Sequence, residues 1–195
     1  MKIYAFAPIS ACEYPTVRLL DHPYIWGGVQ YSLNVSEKPY SPELKTAMAS
    51  HDIECGFCSV SEDDGAEWWG SLCCGMIMLD RAYKAGKKIV VHCDGGNNRS
   101  RSFVEAFHYM ITGKQLRDEY KGEFNHLEYN CKIGHLPPIN ETESKLRDLW
   151  FQLNEDKVKT ILKRMVHHRI ETYYGVSSEP DEMGKEGGGK EDNEE

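Results

Sequence analysis

The stretch that decides the fold reads His92-Cys93-Asp94-Gly95-Gly96-Asn97-Asn98-Arg99-Ser100. Ile89-Val90-Val91 comes just before it, and a short apolar run of this kind is typical of a buried parallel strand. After it, apolar residues recur at helical spacing over residues 103–111, and Gly113 ends the pattern. The sequence therefore predicts a strand, a glycine-rich turn and a helix in direct succession.

A tight turn that leads into a helix is suited to binding a phosphate. Backbone N–H groups at the start of a helix have no partner within it, and the helix dipole favours negative charge there. Glycine and asparagine, which fill most of this turn, tolerate the backbone angles that such a loop requires. The predicted phosphate-binding residues are Asp94, Gly95, Gly96, Asn97, Asn98 and Arg99.

Cys93 stands at the first position of the turn, where a thiol should ionise more readily than a free cysteine, and a thiolate is a nucleophile. Arg99, six residues later, offers a planar fork that can hold two phosphate oxygens. The Ser100 hydroxyl can donate a hydrogen bond to the sulfur. We interpret His92 as a structural donor to loop carbonyls and not as a base.

This arrangement resembles the signature of the cysteine-dependent protein-tyrosine and dual-specificity phosphatases, in particular the compact dual-specificity members. The resemblance is strongest over residues 53–112. It implies that Cys93 forms a thiophosphate intermediate and that Arg99 binds the phosphoryl group. It further implies a hydrolase of phosphotyrosine in proteins, and phosphoserine and phosphothreonine stay open as additional substrates. The implied mechanism uses neither a cofactor nor a metal.

The resemblance also places an aspartate that protonates the leaving group about thirty residues before the cysteine. Asp64 and Asp63 lie 29 and 30 positions before Cys93. We favour Asp64 because Gly65 follows it, and Asp63 stays open as the second choice. The alternative is that both belong to a solvated acidic turn that caps the next helix.

Strand and helix patterns alternate along the chain, which predicts an α/β fold with a mostly parallel central sheet flanked by helices, phosphatase-like, and a helical C-terminal half. Strands are predicted over 3–9, 25–35, 53–60 and 89–91. Helices are predicted over 42–50 with Ser41 as the cap, over 66–85, from Ser100 to Gly113, over 116–127, from Asn140 and from Asp156. We expect a catalytic domain over 1–175 and a disordered acidic tail over 176–195, which holds eight acids and two lysines.

Composition limits the partners that we expect. The net charge of −8 argues against nucleic-acid and anionic-membrane binding, and no apolar run is long enough to span a bilayer. Seven cysteines without a secretory signal favour a reduced, cytoplasmic setting. Phosphorylated proteins or peptides are the expected partners. The alternatives are a pseudophosphatase that binds phosphopeptides without turnover and, with less support, a rhodanese-like sulfurtransferase or an arsenate reductase.

Overall fold

The computed structural model describes residues 4–62, 65–116, 124–157 and 159–160. The chain divides into two compact units, Met1–Asn154 and Glu155–Glu195. In the second unit, Lys159 Nζ contacts Glu155 Oε1 at 2.5 Å, one helical turn away. The predicted acidic tail over 176–195, the proposed boundary at 175 and most of the helix predicted from Asp156 lie outside the described residues. The account below concerns the first unit.

A five-stranded sheet forms the centre of this unit. Its strands are β1 (Tyr4–Phe6), β2 (Ile9–Glu13), β3 (Tyr31–Asn34), β4 (Glu54–Phe57) and β5 (Ile89–Cys93), and their spatial order is β1-β2-β5-β3-β4. Strands β2, β5, β3 and β4 are parallel, and β1 adds an antiparallel edge. The prediction of a mostly parallel sheet is confirmed. Because β5 lies between two strands that come earlier in the chain, its carboxyl end is where a ligand of such a sheet is expected to bind.

Six α-helices and one 3-10 helix (Val17–Leu19) accompany the strands within the described residues of this unit. The α-helices are α1 (Pro23–Trp26), α2 (Pro42–Ser50), α3 (Gly65–Lys84), α4 (Arg99–Thr112), α5 (His126–Lys132) and α6 (Ile139–Leu153). Ser41 caps α2 as predicted, since its side chain accepts from Leu44 N at 3.2 Å. Gly113 ends α4 in the left-handed conformation, with a φ of 71°. The predicted helical C-terminal half is thus present in the described residues.

Several predicted boundaries are wrong. The strand predicted over 3–9 is an antiparallel pair that turns at Ala7-Pro8. The strand predicted over 25–35 contains the end of α1 before β3, because Pro23 opens a helical turn. Helix α6 begins at Ile139 without a cap from Asn140, and the Glu143 carboxylate accepts from Gln115 Nε2 at 2.6 Å instead. Helix α5 starts at His126, and residues 117–123 of the helix predicted over 116–127 lie outside the described residues.

Two apolar layers cover the two faces of the sheet. One face packs against α2 through Leu44 and Met48, with Val90 of β5 in the same cluster. The other face carries the larger cluster, which includes Leu72 and Met76 of α3 and Phe103 and Phe107 of α4. The site strand β5 is buried along its whole length between these layers. This burial fixes the position from which the turn after Cys93 leaves the sheet.

No helix within the described residues is both long and apolar enough to cross a bilayer.

Candidate active site

The turn between β5 and α4 lies against the end of β2. Gly96 has a φ of +67°, and a Cβ built on it would lie 2.4 Å from Glu13 N and 2.6 Å from Cys12 C. Only glycine fits this backbone angle and this close approach. Tyr14 N donates to Asp94 O at 3.2 Å and adds a second tie between the two segments. The turn is therefore fitted tightly against the neighbouring strand, as an anion-binding loop needs to be.

Cys93 and Ser100 meet beneath this loop. The Cys93 thiol is buried, with 3 % of the residue exposed, and its Sγ lies 3.4 Å from Ser100 Oγ. Ser100 sits in the first turn of α4, so its hydroxyl approaches the sulfur from the helix side. A hydroxyl at this distance can donate to a thiolate and stabilise its charge.

Arg99 is buried beside the loop and its guanidinium is shared among several acceptors. Nη1 donates to Val60 O at 2.9 Å, and Nη2 donates to Asp94 Oδ2 at 2.5 Å. Nε is buried and has no hydrogen-bond partner within the described residues. A buried guanidinium with a donor left over is a strong binding group for an oxyanion.

The Asp94 side chain points at Arg99. Its carboxylate occupies the guanidinium that a phosphate would use, so Asp94 contributes a competing anion through its side chain. Of the residues predicted to bind phosphate, Gly95 and Asn97 lie in the same turn, between β5 and α4, with Gly96.

Within the described part of the chain, His92 makes no hydrogen bond to a loop carbonyl, contrary to the prediction; its Nε2 lies 2.9 Å from the Tyr40 hydroxyl. Tyr40 OH in turn donates to Ser32 O at 3.0 Å on β3. The ring is packed edge-on between Tyr14 and Tyr40, at centroid distances of 5.2 Å each. Burial lowers the pKa of His92 to about 3, so this histidine stays neutral and supports the end of β5 from the opposite face of the sheet.

The Asn98 side chain turns away from the loop and pairs with Asn130 of α5. Asn130 Nδ2 donates to Asn98 Oδ1 at 2.8 Å and also lies 2.8 Å from Ser102 Oγ. Asn130 is fully buried, and its Oδ1 lies 3.1 Å from His135 Nδ1. Helix α5 thereby fixes the last residue of the loop, a role that the sequence motif did not indicate.

The segment that follows β4 is held over Arg99. Trp68 Nε1 donates to Ser61 O at 2.8 Å, and Arg99 Nη1 binds Val60 O from below. Glu62 Oε2 lies 3.6 Å from Arg99 Nη2. The two candidate proton donors, Asp63 and Asp64, come next in the chain and lie outside the described residues.

Sequence reasoning missed Glu37, which follows β3. Its Oε1 lies 3.9 Å from Arg99 Nη1 and accepts from Glu62 N at 2.9 Å. The Glu62 N–H and the Ser61 hydroxyl lower the pKa of Glu37. Its position at the carboxyl end of a strand next to β5 was the available signal, because such ends converge on one edge of a parallel sheet.

The comparisons with solved structures identify the fold as that of the compact cysteine-dependent phosphatases, so the predicted resemblance is confirmed at the level of the fold. The structure of DUSP15 is 17% identical, covers 77% of this chain and 92% of that chain, and has a TM-score of 0.53. The Siw14 catalytic core is 10% identical over 77% of this chain and 88% of that chain, with a TM-score of 0.52. The core catalytic domain of the PP-IP phosphatase SIW14 from S. cerevisiae, in complex with citrate, is 12% identical over 77% and 88%, with a TM-score of 0.51.

No family model matches the chain, and no curated protein matches it by sequence.

Proposed function

We propose that this protein is a phosphate monoester hydrolase that works through a cysteinyl-phosphate intermediate, with phosphotyrosine in proteins as its main substrate. The observation that carries the proposal is the grouping of Cys93, Ser100 and Arg99. A buried thiol lies 3.4 Å from a hydroxyl, and beside it a buried guanidinium keeps an unpaired donor. The phosphatase-like fold supports it, although a fold alone does not define a reaction.

The first step transfers the phosphoryl group to sulfur. The Cys93 thiolate attacks phosphorus and forms the S–P bond while the P–O bond to the leaving group breaks. The departing oxygen takes a proton from Asp64 or Asp63. Arg99 and the loop N–H groups hold the phosphoryl oxygens and stabilise the charge that develops on them.

The second step hydrolyses the intermediate. Water attacks phosphorus and gives its proton to the same carboxylate, and the S–P bond breaks to release phosphate. The Ser100 hydroxyl donates to the sulfur as it regains its negative charge. Asn98 contributes to the phosphate site through its backbone, because its side chain is bound to Asn130.

The test is hydrolysis of p-nitrophenyl phosphate in the presence of a chelator. Wild type should turn over, Cys93→Ser should be inactive, and Arg99→Lys should lose at least about 100-fold in kcat/KM because lysine cannot hold two oxygens at once. Cys74→Ser removes an exposed thiol elsewhere and is the matched control. Thiosulfate or arsenate turnover without phosphatase activity would contradict the proposal and favour the alternatives of sulfur or arsenate chemistry.

The proton donor can be identified from how strongly its substitution lowers kcat for substrates with different leaving groups. Phenolate needs protonation far more than p-nitrophenolate, so Asp64→Asn should lower kcat for phenyl phosphate by about 100-fold or more and affect p-nitrophenyl phosphate less. Asp63→Asn and Glu62→Gln are the matched variants. The variant with the steepest leaving-group dependence identifies the acid, and tight phosphopeptide binding by an inactive wild type would indicate a pseudophosphatase.

A further inference from the structure

Three carboxylates surround the Arg99 guanidinium. Asp94 Oδ2, Glu62 Oε2 and Glu37 Oε1 lie 2.5, 3.6 and 3.9 Å from the nearest Arg99 nitrogens. Their side chains are 44 %, 58 % and 53 % exposed, whereas that of Arg99 is 4 % exposed. The carboxylates therefore form an acidic rim, defined as Glu37, Glu62 and Asp94, between the buried cation and the solvent.

The fold fixes the backbone segments that carry the rim. The turn that carries Glu37 is fixed by Asn34 and Ser36, which are fully buried; Ser36 Oγ donates to Asn34 Oδ1 at 2.8 Å, and Asn34 Nδ2 donates to Lys38 O at 2.7 Å. Glu37 then binds the backbone of Glu62. The rim residues thus follow the carboxyl ends of β3, β4 and β5, which bring them to one edge of the sheet.

Two cations belong to the segments that carry the rim or bind to them. Lys38 follows Glu37 in the chain, and Arg101 Nε donates to Gly96 O at 3.1 Å. Arg99 itself belongs to the phosphate, and its unpaired Nε indicates that an anion completes its bonding. A substrate therefore brings one phosphoryl group past three negative charges, and any further negative charge on the substrate is repelled by the rim.

We propose that the acidic rim selects substrates in which a single phosphoryl group is flanked by cationic side chains, such as phosphotyrosine between lysines or arginines, and rejects clustered phosphates. The proposal rests on the proposed phosphatase function and specifies its substrate class. Cationic flanks pair with Glu37 and Glu62 while the phosphate displaces Asp94 from Arg99. Acidic flanks and neighbouring phosphates are repelled by the same groups.

The experiment compares three phosphotyrosine peptides of equal length with lysine, neutral or glutamate flanks, and inositol hexakisphosphate as a polyanion. Wild type should prefer the lysine-flanked over the glutamate-flanked peptide by at least about tenfold in kcat/KM at low salt, and the ratio should shrink at high salt because exposed charges are screened. Glu37→Gln and Glu62→Gln should each lower this ratio by about threefold. Glu54→Gln, at the opposite end of β4, makes the same change in charge and should leave the ratio unaltered.

The outcomes separate the two proposals. A flank ratio near one in an active wild type, or an equal ratio in the rim variants, overturns the rim proposal and leaves the phosphatase function standing. Faster phosphate release from inositol hexakisphosphate than from the lysine-flanked peptide also overturns it. Absence of turnover with every substrate, p-nitrophenyl phosphate included, overturns the proposed function and the rim proposal with it.

Discussion

Substitution of Asn130 should show how far helix α5 supports the loop that follows Cys93. Its amide nitrogen lies 2.8 Å from Asn98 Oδ1, Ser102 Oγ and His126 O, and the residue is fully buried. Asn130→Ala would leave the Asn98 side chain and the Ser102 hydroxyl without this partner. The proposed phosphate-binding loop would then lose the contact between Asn98 and α5.

The expected cost follows from these bonds. Each intramolecular hydrogen bond contributes about 1 kcal/mol net, and Asn130 Nδ2 makes three of them, so Asn130→Ala should lower the free energy of unfolding by about 3 kcal/mol. A loop displaced by even 1 Å should lower kcat/KM by about 10- to 100-fold. Asn125→Ala, on the same helix, loses only the cap contact to Glu128 N at 2.9 Å and should cost about 1 kcal/mol with normal activity.

The assay is denaturant unfolding combined with p-nitrophenyl phosphate kinetics on Asn98→Ala, Asn130→Ala and the double variant. If the pair acts as described, the double-mutant cycle should give a coupling energy of about 0.5–3 kcal/mol. A coupling energy of zero would refute the reasoning. So would an Asn130→Ala variant that retains full activity and loses no more stability than Asn125→Ala.

Three further changes have defined outcomes. Gly96→Ala should cost about 2–4 kcal/mol in unfolding experiments, because its Cβ would lie 2.4 Å from a backbone nitrogen of β2 at a φ of +67°, whereas Gly95→Ala has no atom closer than 3.6 Å and should cost under about 1 kcal/mol. Because burial lowers the pKa of His92 to about 3, the unfolded chain binds a proton below pH 6.5 that the folded chain does not. The contribution of His92 to the free energy of unfolding should therefore be fully present above pH 6.5 and fall below it by up to about 1.4 kcal/mol per pH unit. The His92→Gln variant should lack this share of the pH dependence. Asp94→Asn weakens an ion pair worth about 1 kcal/mol or less, so KM for p-nitrophenyl phosphate should fall about two- to fivefold with little change in kcat, and an unchanged KM would show that the carboxylate does not compete for Arg99.

The local part of the site was predictable from sequence because its parts lie within nine residues. An apolar strand followed by a glycine-rich turn and a helix is recognisable from residue type and spacing alone. The placement of Cys93 at the end of the strand, and of Arg99 and Ser100 at the start of the helix, followed from this pattern. Gly96 was identified because glycine tolerates the positive φ that such a turn requires, whereas its close approach to β2 became visible only in the structure.

The remaining parts depend on which strands become neighbours, and spacing along the chain does not reveal this. Glu37 reaches Arg99 because β3 lies beside β5, although 62 residues separate them in the chain. Asn130 reaches Asn98 because α5 packs on α4, and the prediction of a helix over 116–127 did not include it. The polar residues of such contacts carry no periodic pattern, so hydrophobic periodicity cannot locate them.

The hydrogen bond from Arg99 Nη1 to Val60 O gives this side chain a second role besides the proposed binding of phosphate. In the proposed mechanism the guanidinium that binds the phosphoryl group also anchors the backbone two residues before Glu62, and so fixes the start of the segment that would carry the proton donor. Inserting or deleting a residue between Val60 and the donor should therefore disturb proton delivery while phosphate affinity persists. If the proposed mechanism holds, the number of residues between Val60 and the proton donor therefore sets the distance of that donor from the Arg99 guanidinium.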